Sequence, residues 1–485
     1  MIRKSDKSLA LIFALFAFFH GRAMTVLSEK HPVVYARDSV PVPAPTHLFE
    51  IGKTTISGNR ITRGYVIERE LPFKAGDSLT LEEITESFGK IRERLINTRL
   101  FNEVEVSLKE FRGYTIDIRI DVKERWYIFP LPYVRPVDRN FTAWAEEHYS
   151  LKRFDYGLKY SQYNFTGRND FLRVWLITGY MKEVELAYDR PNTGKELKHG
   201  FGGGFLYGEQ EELDLATYQN KQVFVNSDSL LYAGKFMQEQ MNFSLRYYYR
   251  PGLRTRHFLR LSFNNVKIDS AVLVYNPYYF LNNRRNIFYP ELSYLIRYNN
   301  IDYVPYPTRG FYFEGGLLKR GITAEMNMWQ LNTKTSEAFS FAPKMYFVSE
   351  DFGLIRVPFK QPFYNQQLLG YNDYYMRGLE RYVVDGVACV MARNTVLREL
   401  THFDVPFMRG TAHDHIPFHI YAKAYVDVGY VYDKYFNFNS MVNSPLYTGG
   451  VGIDVVTFYD FVFRAEFSMN QLGEKGVFFH IRNDF

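Results

Sequence analysis

Cysteine is almost missing from this 485-residue chain. Cys389 stands alone, which excludes an intramolecular disulfide and any zinc site built on several thiolates. Long apolar runs are missing too: Leu9–Phe19 is eleven residues, against the roughly 20 that a membrane-crossing helix needs. Charge of one sign is scarce, with a formal net charge of +6 and 23% charged residues, too dilute to imply nucleic acid. No G-x-S-x-G elbow and no Gly-rich phosphate loop occurs, so no residue is predicted to be catalytic and no cofactor is implied. His413, His415 and His419 have spacing that can bind zinc, but they fall in a Pro- and Gly-containing connector with no helix to converge them. They are expected to be surface histidines, and no metal site is predicted.

Aromatics are what the chain has in excess, at 18% of residues, and downstream they alternate with polar residues. That pattern hides membrane-crossing strands from a hydropathy window. At the start, Arg3, Lys4 and Lys7 precede the apolar run, and Gly21-Arg22-Ala23 supplies small residues where a signal peptidase reads. Residues 1–23 are expected to be a signal peptide cut after Ala23, and 24–46, with Pro41 to Pro45, a Pro-rich lead.

Residues 47–125 read as a small α+β domain. Leu48 to Asn59 predicts a strand, Thr62 a cap for a helix over Arg63–Leu71, and Thr80 with Glu83 a capping box for a longer helix. Val104, Val106 and Leu108, then Ile116, Ile118, Ile120 and Val122, alternate as two strands, giving the order β-α-α-β-β. Ile56-Ser57-Gly58-Asn59, Val66-Ile67-Glu68-Arg69-Glu70-Leu71, Gly76-Asp77, Thr98-Arg99-Leu100-Phe101 and Val122-Lys123-Glu124-Arg125 together resemble a POTRA (polypeptide-transport-associated) domain. The resemblance implies a sheet edge able to pair with an unfolded client strand, since main-chain bonds are indifferent to client sequence.

Residues 126–485 accommodate sixteen strands of about 9–11 residues with their turns. The expected fold class is therefore mainly β, a 16-stranded antiparallel transmembrane barrel behind one POTRA domain. In the last expected strand, 477–485, Val477, Phe479, Ile481 and Phe485 face one way while Phe478, His480, Arg482 and Asp484 face the other, which suits lipid outside and water inside. The final Phe485 resembles the sorting signal of outer-membrane barrels.

Three further motifs occur in order: Pro307-Thr308-Arg309-Gly310-Phe311, Met376-Arg377-Gly378-Leu379 and Val426-Asp427-Val428-Gly429-Tyr430-Val431-Tyr432. Together they resemble the BamA/TamA-like outer-membrane protein assembly superfamily. The resemblance implies that Thr308, Arg309 and Gly310 form a turn between strands, that Arg377 and Gly378 tip a long loop folded into the barrel, and that Asp427 lies on the strand facing it. Alternation independently turns Asp427 inward with Lys423, Tyr425 and Gly429. A guanidinium fork can be fixed there by a carboxylate in a way that Lys cannot reproduce. The family's usual second acid would fall on Val396, so Glu399 is the substitute candidate.

Pro130 and Pro132, two apart in a first strand expected at 127–135, would both remove donors from one edge. Should that edge meet Val477, Phe479 and Phe485 of the last strand, the closure would be a weak seam; a Pro-rich linker with the first strand elsewhere is the competing reading. The function these expectations add up to is assembly, insertion or translocation of client polypeptides at an outer membrane, without a chemical reaction and with the POTRA domain in the periplasm. Its partners would be unfolded outer-membrane or secreted clients, outer-membrane lipid and accessory assembly subunits, not nucleic acid. Alternatives are a two-partner-type secretion pore for one dedicated substrate, a passive porin, or a membrane-embedded hydrolase.

Overall fold

The computed structural model describes residues 47–136, 154–194, 196–226, 236–371, 374–406, 415–435 and 439–482. The expected signal peptide, the Pro-rich lead, His413 and Phe485 lie outside them.

The N-terminal module contains β1 (Leu48–Ser57), α1 (Gly64–Glu68), β2 (Ser78–Thr80), α2 (Leu81–Ile96), β3 (Phe101–Arg112) and β4 (Thr115–Glu124). Its sheet runs β2-β1-β4-β3, with β1 and β4 parallel. β2 corrects the expected β-α-α-β-β order. The extended backbone of Thr80, which caps α2, sets Ser78–Thr80 beside Leu48–Glu50 as a short edge strand. The capping box itself forms: Glu83 donates its N–H to Thr80 Oγ1 at 3.2 Å, and Thr80 donates its N–H to Glu83 Oε2 at 2.8 Å. Thr62 does not cap α1; Arg63 holds that position without a side-chain bond. Ile84, Ile91 and Leu95 of α2 pack against Ile116, Ile118 and Ile120 of β4, all fully buried. Each contributes about 1.5–3 kcal/mol.

The second unit is a 16-stranded antiparallel sheet. In chain order its strands are β5 (Ile128–Pro136), β6 (Phe154–Tyr163), β7 (Phe171–Gly179), β8 (Met181–Thr193), β9 (His199–Gln210), β12 (Gln238–Tyr249), β13 (Thr255–Ile268) and β14 (Asn286–Ile301). They continue with β15 (Gly310–Arg320), β16 (Met328–Ala342), β17 (Met345–Val357), β18 (Ala388–Pro406), β19 (His415–Tyr432), β20 (Pro445–Thr457), β21 (Val462–Asn470) and β22 (Lys475–Arg482). The expected number of sixteen is met, with the first strand, expected at 127–135, appearing as β5 and the last, expected at 477–485, as β22. Between β9 and β12 a separate hairpin appears that the sequence reading did not anticipate, β10 (Glu212–Tyr218) with β11 (Lys221–Asn226). It turns on Gln219 and Asn220, both at positive φ.

An even strand count returns both ends of the sheet to the module side. Outward positions are apolar and exposed, as with Leu131, Leu245, Val426, Val451, Phe467 and Phe479, while Asp427, Glu466, Lys423 and Ser262 point inward and are buried. No helix of the described residues is long and apolar enough to cross a membrane. The sheet curls until its ends approach: Phe129 in β5 meets Tyr459, in the turn between β20 and β21, edge-on at 6.2 Å.

Candidate functional site

The long loop joining β17 to β18 folds into the barrel, and its tip carries Arg377. This guanidinium donates from Nε to Asp427 Oδ2 at 2.9 Å, from Nη2 to Asp427 Oδ1, and from Nη1 to Thr395 Oγ1 at 3.0 Å. The backbone N–H of Arg377 adds a bond to Asp427 Oδ2 at 3.1 Å. The Tyr425 ring lies beneath the guanidinium, 3.9 Å from centroid to Cζ. Asp427 is 0% exposed and Arg377 8%, so this pair is buried. Gly378 follows with φ +87°, a conformation that glycine adopts without penalty. Its carbonyl accepts from Asn470 of β21 at 2.9 Å. Met376 and Leu379, on either side, are buried among Phe352, Met391 and Val431. Apolar packing thus seats the loop and the ionic pair sets its register.

Glu399 does not join this cluster. It lies four residues along β18 from Thr395, about 13 Å at roughly 3.3 Å per residue, and contacts His402 at 3.1 Å and His419 at 3.7 Å. The other carboxylates whose fields reach Arg377 are Glu466 and Glu350. Glu466 was missed by the sequence reading, although its strand alternates cleanly. Lys423, 2% exposed, sits 2.5 Å from Glu466 and 2.6 Å from Asp454. His480 of β22 lies 3.3 Å from Glu380 in the loop and 3.4 Å from Glu466, so the loop is tied to the last two strands as well. Glu380, Glu466 and His480 have ligand atoms within 4.8 Å of one another and could hold a divalent cation, but the Lys423 ammonium already engages Glu466.

The two ends of the sheet, β5 and β22, have no ladder between them among the described residues. Tyr163 donates to the carbonyl of Tyr127 at 2.9 Å in the register that continues through β5 and β6. Odd-numbered residues of β5 therefore bond to β6, and the even-numbered Pro130 and Pro132 turn their missing donors toward the free edge. On β22, Val477 and Phe479 are exposed on the outer face, at 60% and 77%.

Arg309 and its neighbours sit in the turn between β14 and β15. Thr308 donates its N–H to Asp302 Oδ1 at 3.1 Å. Gly310 has φ +113°, and a Cβ there would lie 2.0 Å from the carbonyl of Asn300. Arg309 reaches out of the turn to Glu93 of α2 at 3.1 Å. It is one of several contacts from the turns to the module. Asn97 bridges the same turn, donating to the carbonyls of Ile301 and Asp302 at 3.1 Å and accepting from the N–H of Val304 at 3.2 Å. Thr62 bonds Tyr127 at 3.1 Å and Asn164 at 2.9 Å, which is where the expected helix cap went. Arg250, at the foot of β12, donates both Nη atoms to Glu70 at 2.6 and 2.7 Å. Arg125 pairs with Asp460 at 2.8 Å.

Comparison with family models assigns residues 49–125 to POTRA, described as a surface antigen variable number repeat. The module is a POTRA domain. Among curated proteins no match to the chain is found. Solved structures similar to it include BamA from Haemophilus ducreyi lacking POTRA domains 1-3, at 15% identity and TM-score 0.48, covering 89% of this chain and 84% of that one. CdiB from Acinetobacter baumannii is similar at 12% identity and TM-score 0.46, over 90% of this chain and 73% of its own. CdiB from Escherichia coli has 9% identity and TM-score 0.46, over 99% of each chain.

Contacts between the POTRA domain and the barrel set the ionisation of the groups that make them. Burial would raise Glu70, but Arg250 outweighs it by attraction and hydrogen bonding, and the carboxyl is held below its ordinary range. Asp460 follows the same pattern: burial opposes ionisation, and the bonds from Arg125 bring the net shift down. Arg69 falls to about 10 through burial first and Arg250 second. Two largely buried ion pairs, Glu70 with Arg250 and Arg125 with Asp460, therefore fasten the domain to the barrel, beside the exposed pair of Arg309 with Glu93.

Proposed function

We propose that this protein assembles, inserts or translocates client polypeptides at the outer membrane, with its POTRA domain in the periplasm and no chemical reaction of its own. The observation that carries the reading is the open closure: β5 and β22 lack a ladder among the described residues, and Pro130 and Pro132 turn donor-less positions toward it. A client strand offered to the seam gains main-chain bonds from the free edge of β22, which pairs with no barrel strand among the described residues, and from the carbonyls of β5. Burial of client apolar surface, at about 25 cal/mol per Å², supplies the driving force without a nucleotide. The outer edge of β3 in the POTRA sheet is a second strand-pairing site, for capture before insertion. The Arg377–Asp427 pair serves as the lock that holds the inward loop against β18, β19 and β21 while the seam works. Two features tell against a passive porin: the inward loop occupies the lumen, and the POTRA domain contacts the turns at its mouth.

The test is a pair of cysteines, L131C/F479C, oxidised across the seam in the purified protein in liposomes. A denatured eight-stranded outer-membrane barrel protein serves as client, and its protease-resistant insertion is measured. Insertion should fall when the disulfide forms and recover on reduction. Full-rate insertion through the oxidised barrel would remove the seam from the mechanism.

A further inference from the structure

Between the inward loop and the POTRA domain the barrel encloses a chamber of about 720 Å³, the size of a small-molecule site. Eleven basic and five acidic side chains line it. Each of the five acids is already engaged: Glu70 by Arg250, Glu93 by Arg309, Glu314 by Arg297 at 2.7 Å, Asp454 by Lys423, and Glu350 by Arg393 at 3.8 Å. Five cations of the lining are left without a carboxylate within ion-pair distance among the described residues. Arg94 reaches only the carbonyl of Glu70 and Arg254 only the hydroxyl of Tyr298, both at 3.4 Å. Arg256, Lys334 and Arg464 line the same space, and Arg464 Nε is buried without a hydrogen-bond partner.

The register concentrates this charge. Arg256 on β13 faces Arg297 on β14, which faces Glu314 on β15, which faces Lys334 on β16, so one lateral row of the inner wall reads plus, plus, minus, plus. Arg94 and Arg254 add like charge from the POTRA domain and the β12–β13 turn. A wall of like charges at close quarters is unfavourable unless an anion offsets it. Guanidinium forks fit the oxygens of phosphate-type groups two at a time.

We propose that the chamber is a binding site for a small soluble oxyanion carrying two or more negative charges, of the pyrophosphate kind, held between Arg94 of the POTRA domain and Arg254, Arg256 and Lys334 of the barrel. Because it would touch both units, the anion would also strengthen the docking of the POTRA domain.

Titration calorimetry on the full chain in detergent, with pyrophosphate as the probe and inorganic phosphate and chloride as comparators, tests it. Pyrophosphate should bind saturably, at least tenfold tighter than inorganic phosphate, and should raise the melting temperature as a native-state ligand does. R256Q/K334Q should weaken pyrophosphate at least tenfold. Removing like charges should leave its unliganded melting temperature equal to or above wild type, which separates loss of the site from misfolding. R256K, which keeps the charge but loses the fork, should bind pyrophosphate more weakly than the wild type and more tightly than R256Q/K334Q. Absence of saturable pyrophosphate binding by the wild type, or wild-type affinity in R256Q/K334Q, would overturn the proposal.

Discussion

Replacing Asp427 by Asn leaves Arg377 in place but takes away its counter-charge. The geometry makes this costly: Asp427 is fully buried and accepts three bonds from one residue, two of them from the guanidinium fork. Breaking a buried pair by removing one partner costs about 3–5 kcal/mol, whereas an exposed pair contributes about 0–1 kcal/mol. Cation–π contact with Tyr425 and the bond to Thr395 persist in D427N, so the lower end of that range, about 3 kcal/mol, is expected. A double-mutant cycle isolates the pair: R377Q, D427N and the double variant are unfolded with urea in phospholipid micelles and followed by tryptophan fluorescence. The coupling energy should be about 1.5–3 kcal/mol, because the two residues share one network. R377K should behave like R377Q, since an ammonium cannot span Asp427 and Thr395 together. A coupling below about 0.5 kcal/mol, the limit for independent sites, would refute the lock.

Glu70→Gln removes the carboxylate that Arg250 grips and should loosen the POTRA domain against its remaining contacts, read as faster cleavage by protease at the junction near residue 125. The same docking should resist acid. Glu70 is depressed in the folded state, so its contribution is fully present above its ordinary value of 4.5 and is lost only as pH falls through the lower folded value. Fluorescence transfer between domain and barrel should therefore hold from neutrality through pH 4.5, and domain release above pH 5 would contradict the assignment. Gly310→Ala places a Cβ 2.0 Å from the Asn300 carbonyl at φ +113°, and should destabilise by more than about 1 kcal/mol, measured by the urea midpoint. Cys389 is fully buried and should not react with maleimide until the barrel is unfolded, which leaves engineered cysteine pairs to report cleanly.

What the sequence disclosed and what it hid divide along a physical line. Alternation has a fixed period of two, so each strand could be read from its own residues, and Asp427 could be turned inward before any partner was known. The capping box at Thr80 was equally legible, because both its members lie within four residues. Contacts set by the curl of the sheet have no local signature. Glu70 meets Arg250 across 180 positions and Arg125 meets Asp460 across 335, and neither pairing could be foreseen from spacing. Glu399 failed for the same reason. It is near Val396 in sequence, but beyond Asp427 on β19 the inner wall brings acids toward Arg377 from β17 and β21, not from farther down β18. Thr62 shows the converse: a residue typed as a helix cap was diverted because a buried hydroxyl finds stronger partners in Tyr127 and Asn164 at the domain junction. Local chemistry thus fixed the strands and their faces. The contacts on which the proposed mechanism depends, at the seam, the lock and the docked POTRA domain, arise only once sixteen strands have brought distant turns to one end of the barrel.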